Sequence, residues 1–204
     1  YYAVRAVTDS SIPTNGGCFR PVSLHLPEGS LVNPVEPAPV NSRTATLKRI
    51  AGSIVGALKG ALPGHIPADS AGELLVLSLG GKSLDGKSYV VGEFNAGGSG
   101  GGPRKDGVDV IETDGSNCMN MPVEALELEA PVRVHRMSLR TDSGGVGEFR
   151  GGLGCVREIE FLADDIALTH RGERHRHAAR GSQGGGVGAK AFSKIVRRDG
   201  SEEV

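Results

Sequence analysis

Asp106, Asp109, Glu124, Glu127 and Asp142 flank runs of glycine, with Asn117 among them. Such side chains can do general acid or base work on a substrate group that also meets exposed backbone N–H donors. Each can equally be the Asp or Asn that caps a turn. The glycine runs fail the tests for phosphate chemistry. Gly97-Gly98-Ser99-Gly100-Gly101-Gly102 leads into Pro103-Arg104-Lys105-Asp106 without the Gly-Lys-Ser/Thr of a P-loop. Gly186-Val187-Gly188-Ala189-Lys190-Ala191 fits GxGxxA, but a basic polar segment precedes it where an apolar strand is needed. Each run reads first as a structural turn, and second as a backbone nest for an anion.

His170, His175 and His177 cluster in sequence, but Arg171, Arg174 and Arg176 among them oppose a dication. The segment His170–Arg180, with four arginines against Glu173, fits a solvated basic loop or a contact to phosphate, carboxylate or an acidic partner. Cys18, Cys118 and Cys155 form no CxxC pair and read as buried thiols of a reducing compartment. No GxSxG elbow is present.

The elements that must position these groups follow from periodicity. Prolines 13, 21, 27, 34, 37 and 39 make residues 1–42 a Pro-rich extended arm, with Val22, Leu24 and Leu26 as a short strand. Leu47, Ile50, Ala51, Ile54, Val55, Leu58 and Leu62 fall at helical spacing, predicting a long amphipathic helix over about 43–62 capped by Asn41 or Ser42. Gly52, Gly56 and Gly60 give it a bare face, which predicts another backbone close against it. Strands are predicted at Glu73–Leu79, Ser88–Phe94, Val132–Leu139, Val156–Phe161, Ile166–Thr169 and Phe192–Val196, with turns at 80–87 and 198–201. A short helix follows Pro122 and ends at Pro131. The fold class is α+β, strand-rich with glycine-rich turns, and residues 1–204 form a single domain or part of a larger one.

Composition narrows the classes of function. Among 204 residues, 32 are glycine, about one in six where ~7% is ordinary, and they show no triplet period. A net charge of −1 gives no general pull toward nucleic acid or an anionic membrane. No stretch approaches the ~20 apolar residues of a membrane span, and a cytoplasmic location is expected.

Read as phrases, several segments in order resemble the hydantoinase B/5-oxoprolinase family, which includes the B-type chains of ATP-dependent N-methylhydantoinases and the alpha chains of ketone carboxylases. They are Ile12-Pro13-Thr14-Asn15-Gly16-Gly17, Arg20-Pro21-Val22, Pro27-Glu28-Gly29-Ser30, Asn33-Pro34 and Pro67-Ala68-Asp69-Ser70-Ala71-Gly72. Further along come Gly97–Gly101 leading to Lys105-Asp106-Gly107, Asn117 with Pro122-Val123-Glu124, Asp142–Gly147 and Arg150-Gly151-Gly152-Leu153-Gly154.

The resemblance is to an internal part of a longer subunit. It implies an ATP-dependent amidohydrolase that opens a cyclic amide of 5-oxoproline or N-methylhydantoin type. ATP would be used by an A-type partner subunit in a hetero-oligomer. Alternatives are the alpha-type subunit of an ATP-dependent ketone carboxylase and a non-catalytic assembly module for the A-type subunit. A divalent metal is possible in the full-length protein, but the family's metal-binding His and Asp residues lie outside the matched region, so no ligands are assigned in this chain. The site residues chosen on this basis are Asp106, Asn117, Glu124 and Asp142 as catalytic groups, and Asn15, Arg20, Asn33 and Arg150 as substrate-binding ones. Asn15, Arg20 and Asn33 also organise the Pro-rich segment.

Overall fold

The computed structural model describes residues 1–9, 11–73, 75–83 and 85–204. It is α+β and strand-rich. Helix α1 (Tyr2–Ala6) and a 3-10 turn (Gly16–Phe19) precede helix α2 (Arg43–Leu58). Strands β1 (Leu75–Lys82) and β2 (Ser88–Asn95), helix α3 (Val123–Glu129), and strands β3 (Val132–Leu139), β4 (Cys155–Phe161), β5 (Ala167–Arg171), β6 (Ile195–Val196) and β7 (Glu202–Glu203) follow. The strands form an antiparallel sheet in the order β2-β1-β5 and two hairpins, β3-β4 and β6-β7. Leu79, Val91, Leu126, Ala130 and Val132 make a small core where α3 lies between β2 and β3. Among the described residues, no helix is long and apolar enough to cross a membrane.

The strand pattern follows the expected one to within a few residues. The predicted turn at 80–87 is shorter: Gly80 and Gly81 sit inside β1 opposite Val90 and Tyr89, and the chain reverses between Ser83 and Lys87. Leu84 of that turn lies outside the described residues. The strand expected over Val22, Leu24 and Leu26 does not form. Pro21 and Pro27 bracket it, no described neighbour pairs with it, and Leu24 stays 78% exposed. The arm is not extended throughout, since α1 packs on α2, buries Ala3, and stacks Tyr1 on Phe19 at 3.7 Å.

Helix α2 starts where expected, with Ser42 as N-cap in the left-handed region (φ 62°). Its hydroxyl accepts from Arg171 rather than from the helix's own N–H groups. The helix stops at Leu58, and only part of its apolar stripe is buried. Leu47, Ile50 and Ile54 are exposed, whereas Lys48 and Ala51 are buried. The close backbone expected along Gly52, Gly56 and Gly60 is absent among the described residues: a Cβ at Gly56 or Gly60 would meet nothing within 4 Å.

Most of the glycine runs are not turns, although Gly184 belongs to one that the Gly185 N–H closes onto Ser182 O. Among the glycines between residues 97 and 188 only Gly115 and Gly184 have positive φ; the others lie in segments that are neither helix nor sheet. Segment 97–101 bonds to three neighbours, through Ala71 N–H to Gly98 O and Ala68 N–H to Gly101 O, Ser99 N–H to Val108 O, and Gly152 N–H to Ser99 O. A strand in a flat sheet has only two neighbours. Gly98 and Gly101, three residues apart, face the same one, as in a threefold polyproline II-like thread. The threads lie too close for side chains: a Cβ on Gly98 would stand 2.0 Å from Gly152 O, and one on Gly152 2.0 Å from Val108 O. Glycine is required here by backbone contact, as at the axis of collagen.

Candidate functional site

The glycine threads form the floor of an open concavity of about 1990 Å³ whose walls are the β2-β1-β5 sheet and the β3-β4 hairpin. Apolar side chains such as Leu77, Phe94, Ile159 and Leu168 line much of it, as in small-molecule sites with a few placed polar groups.

The polar groups come from strand positions where alternation turns them inward. Glu93 follows Val91 on the buried face of β2, and Arg157 shares a face of β4 with Ile159 and Phe161. Arg157 Nη2 donates to Glu93 Oε2 at 3.1 Å, with the side chains 5% and 2% exposed. Asn120 Nδ2 donates to Glu93 Oε1 at 2.8 Å, and Arg157 Nη1 to Phe94 O at 3.4 Å. Among the described residues Arg157 Nε, also buried, has no partner. Next to this pair, the Cys155 thiol donates to Asn95 Oδ1 at 2.7 Å, and burial pushes its pKa up.

Across the sheet, at the same level as Glu93 but on the opposite edge, the basic segment is largely satisfied internally. Arg171 pairs with Glu73 at 2.9 Å, Arg174 donates to Ser70 O and Ala71 O, and Arg180 pairs with Asp69. His175 lies outside any strand and meets Ser193 and His170. Among the described residues no three His, Cys, Asp or Glu side chains converge to hold a metal.

Of the eight residues chosen from sequence, the structure brings two together. Arg150 N–H donates to Asp106 Oδ1 at 2.9 Å, and its guanidinium grips Asp109 through Nη1–Oδ1 (2.8 Å) and Nη2–Oδ2 (3.2 Å). The Arg150 hydrogen bond and the Leu153 N–H hold the Asp109 carboxyl below its usual range. This brace joins thread 106–110 to thread 150–153. Asn117, Glu124 and Asp142 are exposed and apart, Glu124 in the first turn of α3 and Asp142 in a left-handed turn. Asn15 caps the 3-10 turn through Gly17 N–H, Arg20 ends that turn, and Asn33 donates to Leu26 O. None of the eight lines the concavity. The N–H groups of Ser99, Gly107, Gly151, Gly152 and Gly186 bond to carbonyls of other threads, so they are not free for an oxyanion.

The family model described as "Hydantoinase B/oxoprolinase" matches residues 1–203. The chain belongs to the hydantoinase B/oxoprolinase family. A Pseudomonas sp. protein named as the B-type chain of a D-/L-hydantoinase is 33% identical over all of this chain and 35% of its own length. The 5-oxoprolinase of Dictyostelium discoideum is 33% identical over 98% of this chain and 15% of itself. This chain therefore spans about a third or less of these relatives. The crystal structure of ATP-dependent caprolactamase from Pseudomonas jessenii matches 78% of this chain and 29% of its own, at 33% identity and a TM-score of 0.68. Nucleotide-free acetone carboxylase matches 62% of this chain and 17% of itself at 23% identity and a TM-score of 0.54, a likeness of fold.

Glu93, Asn95, Asn120, Arg157 and Ser193 were not singled out by sequence reasoning. Glu93 and Arg157 carried a signal, a charge at an inward position of an alternating strand. The others meet their partners only through the fold. The three cysteines are unpaired, but none is fully buried: Cys118 is exposed, and Cys18 and Cys155 are half-buried. The Cys118 thiol is pushed up by Glu112.

Proposed function

We propose that this chain is the part of a B-type subunit that shapes the substrate side of an ATP-dependent cyclic-amide hydrolase, acting with an A-type partner that uses ATP in the cytoplasm. The observation that supports this most is the match to ATP-dependent caprolactamase at 33% identity with the same fold. The concavity fits such a substrate: apolar walls for ring carbons, and the Glu93–Arg157 and Cys155–Asn95 groups for its amide edge.

The chemistry needs activation. A cyclic amide is resonance-stabilised, and phosphorylation of its carbonyl oxygen gives an imidate-like carbon that water attacks. In this reading Asp106 and Arg150 hold the threads that form the floor. The exposed Asn117, Glu124, Asp142, Asn15, Arg20 and Asn33 act at the site only where the A-type partner carries them to it. The test is ATP-dependent ring opening of 5-oxoproline, N-methylhydantoin and caprolactam by the full-length subunit with its A-type partner, with acetone and bicarbonate assayed in parallel. Turnover of a cyclic amide supports the hydrolase; carboxylation alone replaces it with the carboxylase.

A second reading, an assembly module, is favoured by α2, whose Leu47, Ile50 and Ile54 are exposed beside open space at Gly56. It predicts that charged substitutions at Ile50 and Ile54 abolish co-purification of the A-type subunit while the chain stays folded.

A further inference from the structure

His170, His175 and Ser193 come from two separate stretches of chain and meet at one point. His170 is held by β5, where it pairs with Leu77 of β1. The other two are brought together by the bond from Ala191 N–H to Arg174 O at 3.0 Å, which lays residues 191–193 along 174–175. Ser193 Oγ lies 3.1 Å from His170 Nε2 and 3.3 Å from His175 Nε2. The two rings stand edge to face with centroids 5.5 Å apart and planes at 83°.

Those separations suit hydrogen bonds between the hydroxyl and the two imidazoles, and they also match the spacing that a small tetrahedral metal ion needs. With metal–nitrogen bonds of about 2.0–2.1 Å, two donor atoms on a tetrahedral ion are about 3.3 Å apart, and two imidazole centroids about 5.2 Å apart. The hydroxyl sits where a third donor or a metal-bound water belongs. The neighbouring arginines weigh less than their number suggests: Arg171 pairs with Glu73, Arg174 is turned away onto the Ser70 and Ala71 carbonyls, and Arg176 is exposed to solvent. His170 and Ser193 both line the concavity, which leaves a coordination position open toward it.

We propose that His170, His175 and Ser193 form a binding site for a divalent transition metal of the zinc class, with imidazole and oxygen donors that suit Zn²⁺, Co²⁺ or Ni²⁺ better than Mg²⁺ or Ca²⁺. The site stands on these three side chains, independently of the cyclic-amide reading. The test is titration of the tag-free chain with Co²⁺, followed by the visible d–d absorption that distinguishes tetrahedral from octahedral cobalt. One equivalent should bind with a tetrahedral spectrum. His170→Gln and His175→Gln should each weaken binding at least about tenfold, and His65→Gln should leave it unchanged. Absence of saturable binding up to millimolar Co²⁺, or full binding by the His170→Gln/His175→Gln double variant, would overturn the proposal. Should those variants fail to fold, proton NMR of the wild-type chain decides. Added Zn²⁺ should move the His170 and His175 ring signals at one equivalent and spare those of His25, His65 and His177. Uniform small shifts at all of them would overturn it equally.

Discussion

Arg157 and Glu93 face each other at 3.1 Å from the two walls of the concavity, one on the β3-β4 hairpin and one on the three-stranded sheet, both nearly sealed from water. The pair is the main polar tie between two sheets that share no strand. Burying two charges is costly, and removing one leaves the other stranded. Glu93→Gln should therefore cost about 3–5 kcal/mol and lower the melting temperature by at least about 6 °C by calorimetry. Replacing both, as Glu93→Met with Arg157→Leu, should recover most of that stability. A single variant that melts like the wild type would show that the pair is hydrated rather than buried.

The glycines divide into two kinds that behave oppositely. Gly152→Ala puts a methyl 2.0 Å from Val108 O in the thread bundle and should destabilise by about 3 kcal/mol or more. Gly56→Ala lies within α2 with nothing in reach and should stabilise by roughly 0.5–1 kcal/mol. Urea denaturation of both variants checks the contrast. Loss of stability in Gly56→Ala would place a close neighbour on that face after all.

Lys48 and Glu112 tie α2 to the segment after the glycine thread through a buried contact of 3.0 Å. Burial opposes ionisation of Glu112, but hydrogen bonds from Ser116, the Cys118 N–H and Lys48 overcome it and hold the carboxyl at about 2. A carboxyl depressed from about 4.5 unfolded to about 2 folded contributes stability that is complete above pH 4.5 and is lost as pH falls toward 2. The contribution is about 3 kcal/mol. Glu112→Gln should flatten the stability profile between about pH 5 and pH 2, measured by chemical denaturation at each pH. An unchanged slope would contradict the assignment.

The cysteines should differ in reactivity. The Asn15 backbone group, set by the 3-10 turn, lowers the Cys18 thiol, whereas Glu112 raises Cys118 and burial raises Cys155. Thiolate is the reacting form, so iodoacetamide near about pH 8 should label Cys18 first, as peptide mass spectrometry can read. Earlier labelling of Cys155 would mean that its bond to Asn95 opens readily.

What was legible in the sequence was what local periodicity controls. Val132–Leu139 is a strand over those residues, its alternation slipping once at the irregularity between Val134 and Arg136, and α2 begins just after its cap at Ser42. The inward charges of Glu93 and Arg157 could have been found by the same alternation. The glycine threads could not, because what selects glycine there is contact between stretches far apart in the chain, such as Gly98 on Gly152. The same holds for Lys48, which sits in a helical run like any surface lysine yet is buried by Glu112 and Thr113. Asp106, Asn117, Glu124 and Asp142 were chosen from sequence for lying near glycine-rich segments. Those glycines are occupied by one another, which is why Asp106 and Arg150 end up bracing threads and the concavity's polar groups come from strands instead.

The most direct test of the proposed activity is the stoichiometry of ADP release to ring opening, for the full-length subunit with its A-type partner on 5-oxoproline, N-methylhydantoin and caprolactam. The expected result is that one of these amides stimulates ADP release and that each ADP is matched by one opened ring. Both should fall together, at least about tenfold, in Glu93→Met/Arg157→Leu protein that remains folded. ADP release that no cyclic amide stimulates, or ring opening that proceeds without ATP, would contradict it.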